Sequence, residues 1–227
     1  MASEHQPQQG YWDSLTVDER AALTDVATVS TFSVGTVLLR AHDTTRDVVL
    51  VRSGYAKVVA RPAAGQYVVL AIRGPGDLLG EMAHVRGGRR SAAALAINEV
   101  TALRVPAEEF GAFLTGSPHA SHLLQRTLVD RLAEADLDRV AAASLAIGQQ
   151  LARLLLKLAE RYGVPAPGGG FTLALLSQKE LAACIGAARG TVARQIGQWR
   201  NRRIVSTTRL AITIHQPLAL ARLVGRR

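Results

Sequence analysis

Residues 177–203, SQKELAACIGAARGTVARQIGQWRNRR, read as two short helices joined by a glycine turn. Ser177 with Glu180 is a capping box, in which the hydroxyl accepts from a first-turn N–H and the carboxylate reaches back to the cap. Leu181 and Ile185 then face inward, and Gly186 falls where the chain reverses, a position suited to positive φ. A second helix starts at Ala187 or Ala188, with Val192 and Ile196 inward and Arg189, Gly190, Ala193, Arg194 and Gln198 outward. This is the outline of a helix-turn-helix whose second helix enters the major groove of DNA. Arg pairs in bidentate fashion with guanine O6 and N7, so Arg189 and Arg194 are expected to read bases. Arg200, Arg202, Arg203 and Arg209, expected beyond the helix and in a following hairpin, suit phosphates, which position without specifying.

The charge distribution agrees with that reading. Residues 146–227 hold 13 Lys/Arg against 2 Asp/Glu, whereas residues 1–145 hold 14 against 16. A field of one sign on one module is what phosphate neutralisation and counterion release require. A solvated basic face is the blander alternative, but it does not explain why the basic run falls on the second helix.

At 227 residues the chain is long enough for two domains. A single cysteine, Cys184, excludes an internal disulfide and a multi-cysteine metal site, and fits a reducing compartment. Its position in the helix-turn-helix predicts a small buried hydrophobe. The histidines have no ligand spacing, so no metal is expected. No nucleophile with a base, paired acid–base carboxylates or Walker loop is present, which argues against an enzyme. The start, MASEHQPQQG, lacks the apolar core of a signal peptide, and no uncharged run is long and apolar enough to span a bilayer. The expectation is a cytoplasmic protein with no membrane partner.

Residues 1–12 read as a loose arm, and Thr16 with Glu19 caps a helix over residues 17–26. From Phe32 to Val105 the text is short Val/Leu/Ile runs (VLLR, VVLVRSGYAKVV, YVVLAI, AAALAI, TALRV) with turns near Gly35, Asp43, Gly54, Gly65, Gly76 and Gly87. That spacing predicts an antiparallel sandwich or barrel and argues against a doubly wound nucleotide fold. Pro106 and Glu108-Glu109 open one helix, and a long one runs from Pro118 to about Ala143. Its Leu124, Leu128, Leu132, Ala135 and Ala142, flanked by charges, form a narrow seam that predicts pairing with a second copy; lying across its own sandwich is the alternative. A hinge at 144–147, a helix over 149–161, a loop GVPAPGGG (163–170) and a strand over 171–175 follow. RIVSTTRLAITIH (203–215) alternates as a small wing hairpin, before a last helix from Pro217. The chain is thus α+β: an N-terminal β jelly-roll domain (1–117), a dimerisation helix and hinge (118–145) and a C-terminal winged helix-turn-helix (146–227).

Gly76-Asp77-Leu78-Leu79-Gly80-Glu81-Met82, followed by Arg89-Arg90-Ser91-Ala92, places a carboxylate in a glycine turn ahead of a basic pair and a hydroxyl. The carboxylate suits sugar hydroxyls, and guanidinium plus hydroxyl suit a phosphate; taken alone, these residues favour an ordinary surface salt bridge in a β-loop.

With this cassette, the jelly-roll glycines, the long helix and the ending RIV…ITI, the chain resembles the Crp/Fnr family over nearly its whole length. The resemblance implies a cyclic-nucleotide-binding sensor joined to a DNA-binding domain, with cAMP or cGMP as the effector. Glu81 would meet the ribose 2′-hydroxyl, Arg90 and Ser91 the cyclic phosphate, and Gly80 to Met82 would supply backbone contacts. The family's adenine-gripping pair on the long helix corresponds to Ala135 and Asp136 here; a hydroxyl is lost, and Asp136 could accept from guanine N1 and N2 or be a solvated charge. The DNA-contacting set is Ser177, Gln178, Arg189, Gly190, Thr191, Arg194, Arg202, Arg203 and Arg209, with Gly190 standing where the family has a glutamate. The implied partners are double-stranded DNA, a second copy and RNA polymerase. An effector-independent architectural DNA-binding protein is the alternative, and a β domain that recognises a protein partner a third reading.

Overall fold

The computed structural model describes residues 10–61, 67–173, 176–208 and 211–225. They divide into two compact units that meet between Ala135 and Asp136. The first begins with helices α1 (Tyr11–Ser14) and α2 (Val17–Asp25) and strands β1 (Thr28–Phe32), β2 (Val37–Leu39), β3 (Val48–Ser53), β4 (Ala56–Ala60), β5 (Val68–Arg73) and β6 (Leu78–Leu79). Helix α3 (Glu81–Arg86), strands β7 (Ala93–Ala96) and β8 (Val100–Val105), helix α4 (Ala107–Gly116) and the long helix α5 (Pro118–Ser144) follow. The strands pair antiparallel in two sheets, ordered β1-β8-β3-β6 and β2-β7-β4-β5, as the run of short apolar segments predicts.

Strand β3 shows why its text is continuously apolar. Successive side chains of a strand point to opposite faces, and both faces of β3 are covered. Val48 and Leu50 join Leu78, Leu103 and Phe110 under the helices, whereas Val49 and Val51 meet Leu38, Ala94 and Ala102 between the sheets. Each such side chain, fully buried, contributes about 1.5–3 kcal/mol.

Three expectations need correction in this unit. The arm expected through residue 12 is docked from Gly10 onward: Tyr11 is buried and its hydroxyl donates to the Ala120 carbonyl at 3.1 Å, while the Trp12 N–H donates to the Gly76 carbonyl at 3.1 Å. Two aromatic side chains anchor an otherwise polar stretch. The cassette turn continues into a helix, α3, and Gly87 caps that helix rather than turning between strands. The seam on α5 is also divided. Leu124 is buried in the β-roll core and Leu128 packs against it, whereas Leu132 is 64% exposed, on a helix side that also leaves Val129 and Val140 exposed. A repeat of four drifts around a helix of 3.6 residues per turn, so Leu132 sits about 80° from Leu124.

The second unit holds α6 (Ile147–Tyr162), β9 (Val164–Pro165), β10 (Phe171–Leu173), α7 (Gln178–Cys184), α8 (Arg189–Asn201), β11 (Val205–Thr207), β12 (Ile212–Ile214) and α9 (Pro217–Leu223). Its sheet has the order β11-β12-β10-β9, with Val205 opposite Ile214 in the expected hairpin. The turn expected at Gly65, the end of the strand expected to reach Leu175, and Arg209 lie outside the described residues. The last turns of α5 belong to this unit: Asp138 accepts from Arg153 Nη2 at 3.1 Å and Lys157 Nζ at 2.7 Å, and Gln150 Nε2 donates to the Leu145 carbonyl at 2.8 Å. Among the described residues no helix is long and apolar enough to cross a membrane.

Glu19 ties α2 to the start of α5. Besides capping Thr16, its carboxylate accepts from Ser117 Oγ at 2.5 Å and lies 3.0 Å from His119 Nδ1. Burial works to raise its pKa, but the bonds from Ser117, the Thr16 N–H and His119 outweigh it and hold the carboxyl at about 2, against an ordinary 4.5. A carboxyl lowered on folding stabilises above its unfolded pKa and loses that contribution as pH falls towards its folded one. Glu19→Gln should therefore unfold at lower urea than the parent at neutral pH. In unfolding curves taken between pH 6 and pH 2 the difference should narrow below pH 4.5.

Candidate functional site

The cassette residues are held where two loops of the first unit meet. The Arg90 carbonyl accepts from the His42 N–H at 2.8 Å and the Arg90 N–H donates to the Asp43 carbonyl at 3.0 Å, joining the β2–β3 loop to the stretch before β7. The Arg90 side chain turns inward and is 3% exposed. Its Nη2 donates to the Asp47 carbonyl at 2.8 Å and its Nε to Thr45 Oγ1 at 3.3 Å, while Nη1 is buried without a hydrogen-bond partner. Desolvation draws the Arg90 pKa down, opposed by Asp47 and Asp43. A buried, unmet donor on a charged group costs upwards of about 1–3 kcal/mol, and an anionic oxygen from a ligand would remove that cost.

Gly80 makes the arrangement possible. It has φ 88°, and a Cβ there would strike Arg90 Nη1 and stand 2.9 Å from the Asp47 carbonyl oxygen. Glu81 follows as the first residue of α3 and is 3% exposed. Its carboxylate is held by Arg131 Nη1 from α5; Arg131 Nη2 donates to the Leu78 carbonyl at 2.9 Å and lies 3.8 Å from the carboxylate of Asp77, 2% exposed. Arg131 Nε is buried without a hydrogen-bond partner.

The structure therefore brings Gly80, Glu81 and Arg90 together. Met82, expected for backbone contacts, follows Glu81 in α3 with its side chain 57% exposed. Ser91 is exposed beside Arg90, and Ala135 and Asp136 are exposed on α5, where Asp136 accepts from Arg139 Nη1 at 3.1 Å. Thr45, Asp47, Asp77 and Arg131 belong to the site and are absent from the sequence-based set. Arg131 carries a legible signal, since it follows Leu124 and Leu128 at i, i+4 and i+7, and a cation on a buried helix face demands a buried counter-ion.

In the second unit Ser177 caps α7 as expected: Oγ accepts from the Glu180 N–H at 3.3 Å, and Glu180 Oε2 accepts from the Ser177 N–H at 2.9 Å. Gly186 turns the chain at φ 63° into α8, which is anchored by Val192, Ile196 and Trp199. Arg189, Gly190 and Arg194 are exposed and Thr191 is half-buried. A concavity of about 410 Å³ lies between the helix starts and the wing, lined by Ser177, Gln178, Lys179, Arg189, Thr207 and Thr208 among others. Lys179 and the two threonines, missed in sequence, add an ammonium and hydroxyls that suit a phosphate. Arg200, expected beyond the helix, lies in its last turn; Arg202 caps it and Arg203 adopts φ 55°, both exposed. Cys184 is half-buried rather than enclosed.

A β-roll followed by a long helix and a winged helix-turn-helix defines a DNA-binding transcription regulator. Residues 29–117 match the cyclic nucleotide-binding domain and residues 149–223 the Crp-like helix-turn-helix domain. A global nitrogen regulator of Synechocystis is 30% identical over 195 residues, 85% of this chain and 87% of that protein. A CRP-like cAMP-activated global transcriptional regulator of Mycobacterium tuberculosis is 28% identical over 173 residues, 76% of this chain and 77% of that one. The solved structure of FixK2 from Bradyrhizobium japonicum shares the fold with a TM-score of 0.78 at 19% identity, covering 87% of this chain and 97% of that one. The chain belongs to the Crp/Fnr family of transcription regulators.

Gly80→Ala should be among the most damaging small substitutions in the β-roll, because it forces both positive φ on alanine and a clash with Arg90. A loss of roughly 1–3 kcal/mol in urea unfolding is expected, where Gly35→Ala, with the same sign of φ but open space around it, should lose less.

Proposed function

We propose that the chain works in the cytoplasm as a homodimer on a pseudo-palindromic operator, gated by a phosphate-bearing effector, first of all a cyclic nucleotide, bound at Arg90. The observation that carries the proposal is the buried Arg90 Nη1 with no acceptor. Support for a nucleotide comes from the domain matched over residues 29–117 and from the cAMP-activated relative. The cyclic phosphate would take Arg90 Nη1 and Ser91, and Glu81 the ribose hydroxyl; backbone contacts fall to residues 80–82. Asp136 gives guanine an acceptor that adenine cannot use at N1 and N2, so cGMP is tested beside cAMP. The residues proposed for DNA divide into Arg189 and Arg194 for bases, with Gly190 and Thr191 beside them, and Ser177, Gln178, Arg202, Arg203 and Arg209 for the backbone. Half-sites would lie about 34 Å apart, and RNA polymerase is the further partner a transcription regulator requires. Residues 1–117, 118–145 and 146–227 are the proposed sensor, dimerisation segment and reader.

A second reading, an effector-independent architectural DNA-binding protein, is favoured by one contact: Glu81, the proposed ribose acceptor, is already engaged by Arg131. Titration calorimetry of nucleotide-stripped protein with cAMP and cGMP separates the two. At least one nucleotide should bind the parent and bind Arg90→Ala about tenfold or more weakly, the loss expected for a charge-assisted bond. Absence of binding by either, with DNA affinity unchanged by both, favours the architectural reading.

For the dimer, the exposed apolar residues Val129, Leu132 and Val140 on α5 are the supporting observation. Replacing Val129 and Leu132 by Glu should give monomers by light scattering and weaken operator binding, while Leu128→Glu should instead unfold the β-roll.

A further inference from the structure

The two loops that meet at Arg90 carry more positive charge than its own site engages. Arg40 and Arg46 lie on the β2–β3 loop, Arg86 in the last turn of α3 and Arg89 immediately before Arg90. All four are exposed, and among the described residues none of their guanidiniums makes an ion pair or a hydrogen bond. The carboxylates of the same stretches are already engaged: Asp43 accepts from the Thr45 N–H at 3.1 Å, Asp47 pairs with Arg104 at 3.2 Å and Glu81 with Arg131. Residues 40–47 and 80–91 thus hold five arginines against three carboxylates. Backbone bonds between Arg90 and both His42 and Asp43 hold the stretch bearing Arg89 against the loop that bears Arg40 and Arg46. Arg46 also stands close enough to His84 of α3 to add to burial in lowering the imidazole pKa. Between Arg86 and Arg89 the surface is open, since a Cβ on Gly87 or Gly88 would meet nothing within 4 Å.

A cyclic mononucleotide brings one negative charge, which the buried Arg90 answers with an Nη1 that has no other acceptor. Four further cations gathered without counter-charge repel one another, and such a field is what a multiply charged ligand neutralises. Guanidinium is also the cation whose fork of donors fits phosphate in bidentate fashion. We infer that the effector carries two phosphate groups, one at Arg90 and a second held at the rim by Arg46 and Arg89. The inference rests on the reading that places a phosphate-bearing effector at Arg90, and it narrows that effector to a nucleotide with a second phosphate. A cyclic dinucleotide and a nucleoside 3′,5′-bisphosphate both supply one. Duplex DNA is the other polyanion that suits an exposed basic rim; the small ligand is favoured because the rim belongs to the loops bonded around an enclosed donor without an acceptor.

The test uses full-length, nucleotide-stripped parent, Arg46→Gln, Arg89→Gln, the double variant and Arg90→Ala, with thermal unfolding as a check that each folds. Titration calorimetry at one salt concentration compares cGMP, cyclic di-GMP and guanosine 3′,5′-bisphosphate, then the three adenosine counterparts, so that the base is constant within each set. One of the two-phosphate ligands should bind the parent about tenfold or more tightly than the cyclic mononucleotide of the same base, and which one does so separates the cyclic from the linear ligand. The double variant should erase most of that advantage. The inference is overturned if the second phosphate brings no advantage, or if the double variant weakens every ligand of a set by the same factor. It is overturned equally if that variant instead weakens binding to duplex DNA in the absence of nucleotide, which makes the rim a DNA contact. A cyclic mononucleotide that binds the parent, is lost in Arg90→Ala and gains nothing from a second phosphate sinks only the role of the rim. No binding by any of the six ligands sinks the effector reading as well.

Discussion

The guanidinium of Arg90 is the group on which the local geometry of the β-roll's cassette depends. A cation moved out of water costs several kcal/mol unless its N–H groups are met. Two edges are met, by Thr45 Oγ1 and the Asp47 carbonyl, and those acceptors exist only because the β2–β3 loop is pinned to the Arg90 backbone through His42 and Asp43. Room for the head group exists only because Gly80 has no Cβ. Loop, glycine and helix start are therefore one construction around a single buried charge, whose Nη1 has no hydrogen-bond partner.

Arg131 introduces a second buried cation into the same turn from the opposite direction. Its partners, Glu81 and Asp77, are among the few buried carboxylates of the β-roll. Removing one member of such a cluster leaves an uncompensated charge, which costs far more than the intact cluster contributes. The effector turn and α5 are thus coupled electrostatically in the absence of any ligand. Any group that competed for Glu81 would have to displace Arg131, whose other contacts are Asp77 and the Leu78 carbonyl.

How much of this was legible in the sequence varies with the kind of signal. Alternating and continuous apolar runs have a fixed relation to strand faces, so the two sheets and the wing were readable, as were the caps at Thr16 and Ser177, whose chemistry is local. The seam on α5 was not: Leu124, Leu128 and Leu132 look equivalent as text, and only the 3.6-residue pitch separates two that serve the core from one that faces outward. Tyr11 and Trp12 were hidden because their partners, Ala120 and Gly76, lie far along the chain. Gly80, Glu81 and Arg90 could be named from the cassette, but Thr45, Asp47 and Asp77 act through backbone carbonyls and long-range pairing that no motif encodes.

Helix α5 runs across the division between the two compact units, and different charges hold it on either side of that division. Arg131 is committed to Glu81 and Asp77 on the sensor side, while Asp138, two turns later, is committed to Arg153 and Lys157 of α6. Seven residues of helix rise only about 10 Å, so the two anchors lie close together on α5. Between the two anchors lie Ala133 to Leu137, where Ala135 and Asp136 are exposed. The residues that the family resemblance sets against an effector base thus lie between a charge committed to the first unit and one committed to the second.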